Sequence, residues 1–154
     1  MLKKEQSNHA KPYSLILFDV DRLKHINDQF GHPAGDEVLR LVALAARQRV
    51  RKADIVYRLG GDEFAVLLPQ TALPVAEEVA RRVETAVMEK VAYGRNLSVS
   101  TGTCEAEPHE SVPLLLTRTD QLMYLAKREH HGQDAVIPLS AGASASLIAT
   151  HLRG

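Results

Sequence analysis

Ile55–Leu68, IVYRLGGDEFAVLL, decides the fold. Two short apolar runs, Ile55–Leu59 and Glu63–Leu68, flank Gly60-Gly61-Asp62, and β-prone runs joined by glycine-rich turn residues read as a tight hairpin. Upstream, Tyr13–Asp19 (YSLILFD) is a nearly continuous apolar run ending on an acid. That is the pattern of a buried strand whose C-terminal end carries chemistry. Between the two, Leu23 to Phe30 reads as a short helix stopped by Gly31, and Val38, Leu41, Val42 and Ala45 mark one face of a longer one. Downstream, Pro74 opens a helix in which Val75, Val79, Val83 and Val87 recur every fourth residue. Leu97, Val99, Thr101 and Thr103 alternate with Ser98 and Ser100 as another strand. Ser111 and Pro113 start a helix running through Leu116 and Met123 to Lys127, and Ala135–Ile137 reads as a last strand. The order β-α-α-β-β-α-β-α-β predicts an α/β or α+β domain, a mixed central sheet of about five strands flanked by helices.

The chain has 154 residues and a mass of 17.0 kDa, the length of one domain. At 45% hydrophobic and 25% charged it has ordinary globular composition. Nineteen basic residues balance nineteen acidic ones, which argues against a nucleic-acid polymer as partner. A single cysteine, Cys104, excludes an internal disulfide framework and suits a reducing compartment. The charged stretch Met1–Asn8 has no apolar core of a signal peptide, and Leu41–Ala46, the longest apolar run, is far short of the ~20 residues a membrane span needs. The expectation is a cytoplasmic domain without a membrane segment. Residues 1–12 read as an N-terminal remnant or linker, 13–138 as the folded domain, and 139–154, rich in Ser, Ala and Gly, as a flexible tail.

Asp19 stands at a strand end, and Asp62 and Glu63 stand on the hairpin tip. Carboxylates at neighbouring strand ends can converge on a hard cation, and Mg²⁺ is usually held by one or two carboxylates plus substrate phosphates. Gly60 and Gly61 can take positive φ and let backbone approach a phosphate closely. The plain alternative is a solvated acid and an ordinary Gly-Gly-Asp turn. An EF-hand reading of Asp19-Val20-Asp21 fails, because Leu23 and Lys24 stand where that loop needs a ligand and a glycine. Seven histidines form no His-x-x-x-His or Cys-His cluster, and His130-His131 reads as a solvated helix end.

Arg58-Leu59-Gly60-Gly61-Asp62-Glu63-Phe64 resembles the signature of the GGDEF family, the diguanylate cyclases. Three more segments agree in order. Phe18–Asp28 (FDVDRLKHIND) is similar to the family's metal strand and following helix, Phe30–Asp36 (FGHPAGD) to its guanine loop, and Asp120–Lys127 (DQLMYLAK) to its last helix. The resemblance covers Tyr13 to Ile137 and implies a nucleotidyl-cyclase-like, polymerase-palm-like fold. It also implies joining of two GTP molecules into cyclic di-GMP with release of two pyrophosphates.

Residue by residue, the resemblance implies Asp19 and Asp62 as ligands of Mg²⁺ (or Mn²⁺), with the Val20 carbonyl and Glu63 helping. Asp62 would accept the hydroxyl proton. Lys24 and Lys127 would stabilise phosphate charge, Asn27 and Asp36 would read the guanine edge, and His32 would line the nucleoside. Arg51-Lys52-Ala53-Asp54 resembles the family's Arg-x-x-Asp inhibitory site, with Arg82 as a secondary contact. This motif sits in a stretch, Leu41 to Arg58, with five basic residues and one acid, locally anion-attracting. Its alternative reading is a solvated helix end.

Two departures bear on activity. The family's Asp-x-Leu-Thr-Gly-Leu-x-Asn-Arg segment has no match in Met1–Lys11. Gly132-Gln133-Asp134 replaces the expected Gly-Arg-Asn, and Gln133 supplies no charge to a triphosphate. Three functions therefore compete. The first is a cyclase acting as a homodimer under a sensory or receiver domain in a full-length protein that could be membrane-anchored. The second is a silent module binding cyclic di-GMP or GTP. The third, a receiver-like phosphoacceptor at Asp19, leaves the hairpin and the guanine loop without a purpose.

Overall fold

A computed structural model of the chain describes residues 11–131. In chain order the elements are β1 (Tyr13–Val20), α1 (Leu23–Phe30), α2 (His32–Arg47), β2 (Ile55–Gly60), β3 (Glu63–Pro69) and α3 (Leu73–Met88). They continue with β4 (Val91–Ala92), β5 (Arg95–Asn96), β6 (Val99–Glu105) and α4 (Val112–His131). The strand expected at Ala135–Ile137, Gln133 and the tail at 139–154 lie outside the described residues.

β2, β3, β1 and β6 form one sheet in that spatial order. The α+β class is as the sequence predicts, but every pairing among the described strands is antiparallel. The reason lies in the crossovers. The helical link from β1 to β2 leaves room for β3 between them, and the link from β3 to β6 passes over β1. Strands that run parallel are thus never neighbours. The hairpin forms as expected, with a register shift between Arg58 and Gly60, and the Arg58 guanidinium donates to the Gly61 carbonyl at 2.7 Å.

Period-two alternation sorts the apolar side chains onto two faces. Ile16, Phe18, Val20, Phe64, Val66 and Leu68 pack under α1, α2 and α3. Leu15, Leu17, Ala65 and Leu67 pack with Leu115, Leu116 and Met123 of α4 on the other face. β1 is therefore buried on both sides, which explains why it reads as a continuous apolar run.

Two helix and strand faces differ from expectation. Val75 is 53% exposed, and α3 buries Ala76, Val79, Ala80, Val83, Ala86 and Val87 instead. A four-residue spacing advances about 40° per step beyond a full turn, so the valine row drifts off the core side. In β6, Ser100, Gly102 and Cys104 are buried and Thr101 and Thr103 are only partly so. The helix α4 lies against the small residues. A Cβ on Gly102 would collide with the Thr119 carbonyl oxygen and the Met123 nitrogen. The short β4–β5 hairpin was not foreseen, since two-residue strands carry no periodicity. Because α4 backbone cannot yield at that contact, Gly102→Ala is expected to destabilise the fold by about 1–3 kcal/mol. Its denaturant midpoint should fall with the slope unchanged, and a midpoint equal to the parent's would refute the close helix contact.

Candidate functional site

Antiparallel register places Asp19 directly opposite Glu63 on one side and Ser100 on the other. The Val20 amide donates to the Asp62 carbonyl at 3.1 Å, so the end of β1 and the hairpin tip are locked together. Beside them the rings of Phe18 and Phe64 stack with centroids 5.1 Å apart. The helix α4 supplies the other wall. Asp120 and Lys127 lie seven residues apart, about two turns, and so share one helix face. Lys127 Nζ meets Asp19 Oδ2 at 3.1 Å, with the two side chains only 15% and 14% exposed. Asp19 Oδ1 and Asp120 Oδ1 are buried without a hydrogen-bond partner.

Burial dominates the electrostatics here. It pushes the Asp19 carboxyl up to about 8, with the neighbouring Asp62 raising it further and Lys127 pulling the other way. Glu63 is pushed up to about 7 by burial, Asp120 and Asp62, again against Lys127. Asp120 is raised as well, by burial. Four carboxylates face one ammonium. Such a pocket favours added positive charge, and the unpartnered Asp19 oxygen is an open acceptor for it. Among the described residues no three His, Cys, Asp or Glu side chains gather as a cage. A hard cation held here would need further oxygens, such as those of a phosphate, to complete its shell. At the tip, Gly60 and Gly61 have φ of 145° and 50° and nothing within 4 Å of a notional Cβ, leaving room for a ligand.

A second surface forms where α1 meets α2. The Gly31 amide donates to the Asn27 carbonyl at 2.8 Å, ending α1, and the same residue precedes α2. The Asn27 side chain lies over Gly35, where a Cβ would collide with it, and its Oδ1 is buried without a partner. Asp36 and His32 are exposed on the first turns of α2. Lys24 is not drawn to the acids. Its side chain is 90% exposed and paired with Asp28 at 3.0 Å.

Arg51 and Asp54 come together, though on each other. The guanidinium reaches Asp54 at 2.8 Å, the Pro69 carbonyl at 3.0 Å and the Thr71 hydroxyl at 2.6 Å. The Asp54 side chain has no exposure, whereas Arg51 keeps 49%. Arg82 lines a separate cleft of about 210 Å³ with Arg49, Arg81, Glu78, Thr85 and Glu89.

Sequence reasoning missed a buried network beneath the acids. Asp21 Oδ1 accepts from Ser100 Oγ and Asp21 Oδ2 from Ser98 Oγ, each at 2.6 Å. His130 Nδ1 lies 3.1 Å from Asp21 Oδ2 and 2.9 Å from Ser100 Oγ. His130 is thus no merely solvated helix end, because α4 runs past Lys127 and lays it on Asp21. Asp120 was also missed, although its seven-residue offset from Lys127 is readable.

Burial of Asp19 makes stability depend on pH. The folded state holds this proton more tightly than the unfolded chain, so stability is lost as pH rises from the ordinary carboxylate range toward about 8. The loss is bounded at about 1.4 kcal/mol per pH unit for one group. Asp19→Asn should therefore melt higher than the metal-free parent above neutrality, with Lys127 still facing Glu63. Mg²⁺ should raise the parent's midpoint more than the variant's. Identical melting curves across pH would refute a strained charge at Asp19.

A family model described as diguanylate cyclase, GGDEF domain, matches residues 1–133. Diguanylate cyclase DgcM of Escherichia coli is 42% identical over 121 residues, 78% of this chain and 30% of that protein. Response regulator PleD of Caulobacter vibrioides is 40% identical over 147 residues, 91% of this chain and 32% of that protein. The chain thus spans less than a third of the length of these relatives. The crystal structure of the GGDEF domain of YfiN from Pseudomonas aeruginosa superposes with a TM-score of 0.75 at 33% identity, covering 89% of each chain. That of DgcB from Caulobacter crescentus, in complex with c-di-GMP, gives 0.74 at 27% identity, covering 88% of this chain and 82% of the other. With its hairpin, acids and last helix arranged as they are, the chain belongs to the GGDEF family of diguanylate cyclase domains.

Proposed function

We propose that this domain condenses two GTP molecules into cyclic di-GMP and two pyrophosphates, with Mg²⁺ or Mn²⁺, across a pair of identical domains. The observation that carries the reading is the buried acid cluster with its unpartnered Asp19 oxygen beside an open glycine tip. Asp19, Asp62, Glu63 and the Val20 carbonyl would hold the metal, which when bound neutralises charge on the transferring phosphoryl group. Asp62 takes the proton from the attacking 3′-hydroxyl. Gly60 and Gly61 admit phosphate close to backbone. Lys127, now on Asp19, is within reach of any phosphate that arrives there, and exposed Lys24 closes from the solvent side.

Asn27 and Asp36 read the guanine edge, because an amide donates and accepts while a carboxylate takes ring and amino N–H groups. His32 lines the nucleoside. One triphosphate site per domain and two nucleotides per product require two sites face to face, as C₂ pairing allows. GTP supply places the domain in the cytoplasm. No helix among the described residues is long and apolar enough to cross a membrane. A silent binding module is the second reading, favoured by Gln133 in place of arginine.

For product inhibition, Arg51 is the group that meets the ligand. Asp54 is fully buried and acts by aiming the guanidinium, while Arg82 and its cleft offer a secondary anion contact.

Incubation with GTP and Mg²⁺ followed by nucleotide chromatography should yield cyclic di-GMP, and Asp62→Asn, nearly isosteric, should abolish it in a folded chain. Unchanged turnover in that variant removes Asp62 from the chemistry. No product from the parent, with GTP still bound, supports the silent module. Arg51→Ala should weaken cyclic di-GMP binding about tenfold or more, the scale of a lost charge-assisted hydrogen bond. Equal affinity by calorimetry would reduce Arg51 and Asp54 to a structural turn.

A further inference from the structure

The turn between β4 and β5 is built against its own conformational preference. Tyr93 has φ 53° and Gly94 φ 78°. Two consecutive left-handed residues make the reversal that suits a two-residue hairpin, and its first position favours Asn, Asp or Gly. A bulky tyrosine there is an outlier that calls for a compensating gain.

The gain lies across the molecule. The Tyr93 hydroxyl donates to Glu37 Oε1 at 2.7 Å. Its ring meets Phe30 with centroids 4.9 Å apart and planes inclined by 35°. Phe30 ends α1 and Glu37 lies in the second turn of α2, so the two contacts bracket the corner that carries His32, Gly35 and Asp36. The base of the hairpin is fixed too. Asn96 Nδ2 donates to the Met88 carbonyl at 2.7 Å and the Leu97 amide to the Lys90 carbonyl at 2.9 Å. A strut anchored at its base and touching both ends of a corner limits how far that corner can splay.

We propose that Tyr93 is a positioning residue for nucleobase selection, holding the Phe30–Glu37 corner so that Asn27 and Asp36 meet one edge of a purine in a single orientation. This rests on the reading of that corner as the base-binding surface. The contacts of its side chain are with Phe30 and Glu37 and not with Asp19, Asp62, Glu63 or Lys127, so its effect falls on base affinity and discrimination and leaves the chemical step alone.

The test compares the parent with Tyr93→Asn, which suits the backbone, Tyr93→Phe, which keeps the ring, and Asp36→Ala. Binding of GTP and of ITP, which lacks the 2-amino group, is measured by calorimetry, with kcat and KM where turnover is seen. Tyr93→Asn should keep the parent's melting temperature within a few degrees. It should weaken GTP binding roughly threefold to tenfold, the scale of a lost hydrogen bond and ring contact, narrow the GTP-over-ITP preference and leave kcat unchanged. Tyr93→Phe should restore part of the loss. If Asp36→Ala removes the preference and Tyr93→Asn does not, the role of Tyr93 is overturned while the base-binding surface stands. If Asp36→Ala leaves the preference intact, the surface itself is wrong and the proposal falls with it. A Tyr93→Asn variant whose GTP and ITP affinities fall equally along with kcat has only a structural tyrosine.

Discussion

A carboxylate at the end of a strand buried on both faces cannot discharge its charge into water, and Asp19 is in that position. β1 is covered by α1 to α3 on one face and by α4 on the other, so the peptide plane that brings Asp19 to the rim also surrounds it with low-dielectric packing. Its cross-strand neighbours are Glu63 and Ser100, one of which adds like charge. Lys127 is the counterweight, and it comes from the far end of the chain. Much of the remaining architecture serves to bring that ammonium to that carboxylate.

The helix α4 does so through two different contacts. Near its middle it lies on Gly102 with no side chain between, which fixes its distance from the sheet. At its C-terminal end His130 lies against Asp21, itself held by two serine hydroxyls. A buried carboxylate with three such partners is costly to disturb. It joins the end of β1, the start of β6 and the last turn of α4 at one point, one residue past the Val20 carbonyl. Placement of Lys127 is thereby set from both sides.

The sequence made the strands and the hairpin legible because β1 and β3 are apolar on both faces and Gly60-Gly61-Asp62 punctuates them. Asp19, Asp62 and Glu63 could be grouped because strand ends and turn tips are the places where antiparallel register brings distant residues level. Lys127 was placed by resemblance, and its actual partner, Asp19, depends on a helix-to-sheet distance that no spacing encodes. His130 was misread for the same reason: an exposed-looking helix end becomes part of a network only once α4 is seen to overrun β6. Val75 shows a different limit. A strict four-residue repeat resembles a face, yet 3.6 residues per turn rotates its first member out of the core. Arg51 and Asp54 are read from the sequence as two contacts of one anion site, whereas in the fold they bond each other and the Asp54 side chain is fully buried. The Pro69 and Thr71 contacts that hold the Arg51 guanidinium lie about twenty positions downstream, where no local pattern points to them.

The central place of β1 also has a consequence for synthesis of the chain. Its two partners come late, Leu17 pairing with Ala65 and with Gly102. The hairpin of β2 and β3 is local and can close early, but the apolar segment at Tyr13–Val20 must wait for both neighbours. Non-local antiparallel pairing is slow to form, and a waiting strand of this composition is open to pairing with another chain. A ribosome therefore extrudes β1 before either of its partners and supplies β6, the strand that closes it, last among the described strands, so translation speed across residues 20–99 sets how long the nascent chain is exposed to mispairing.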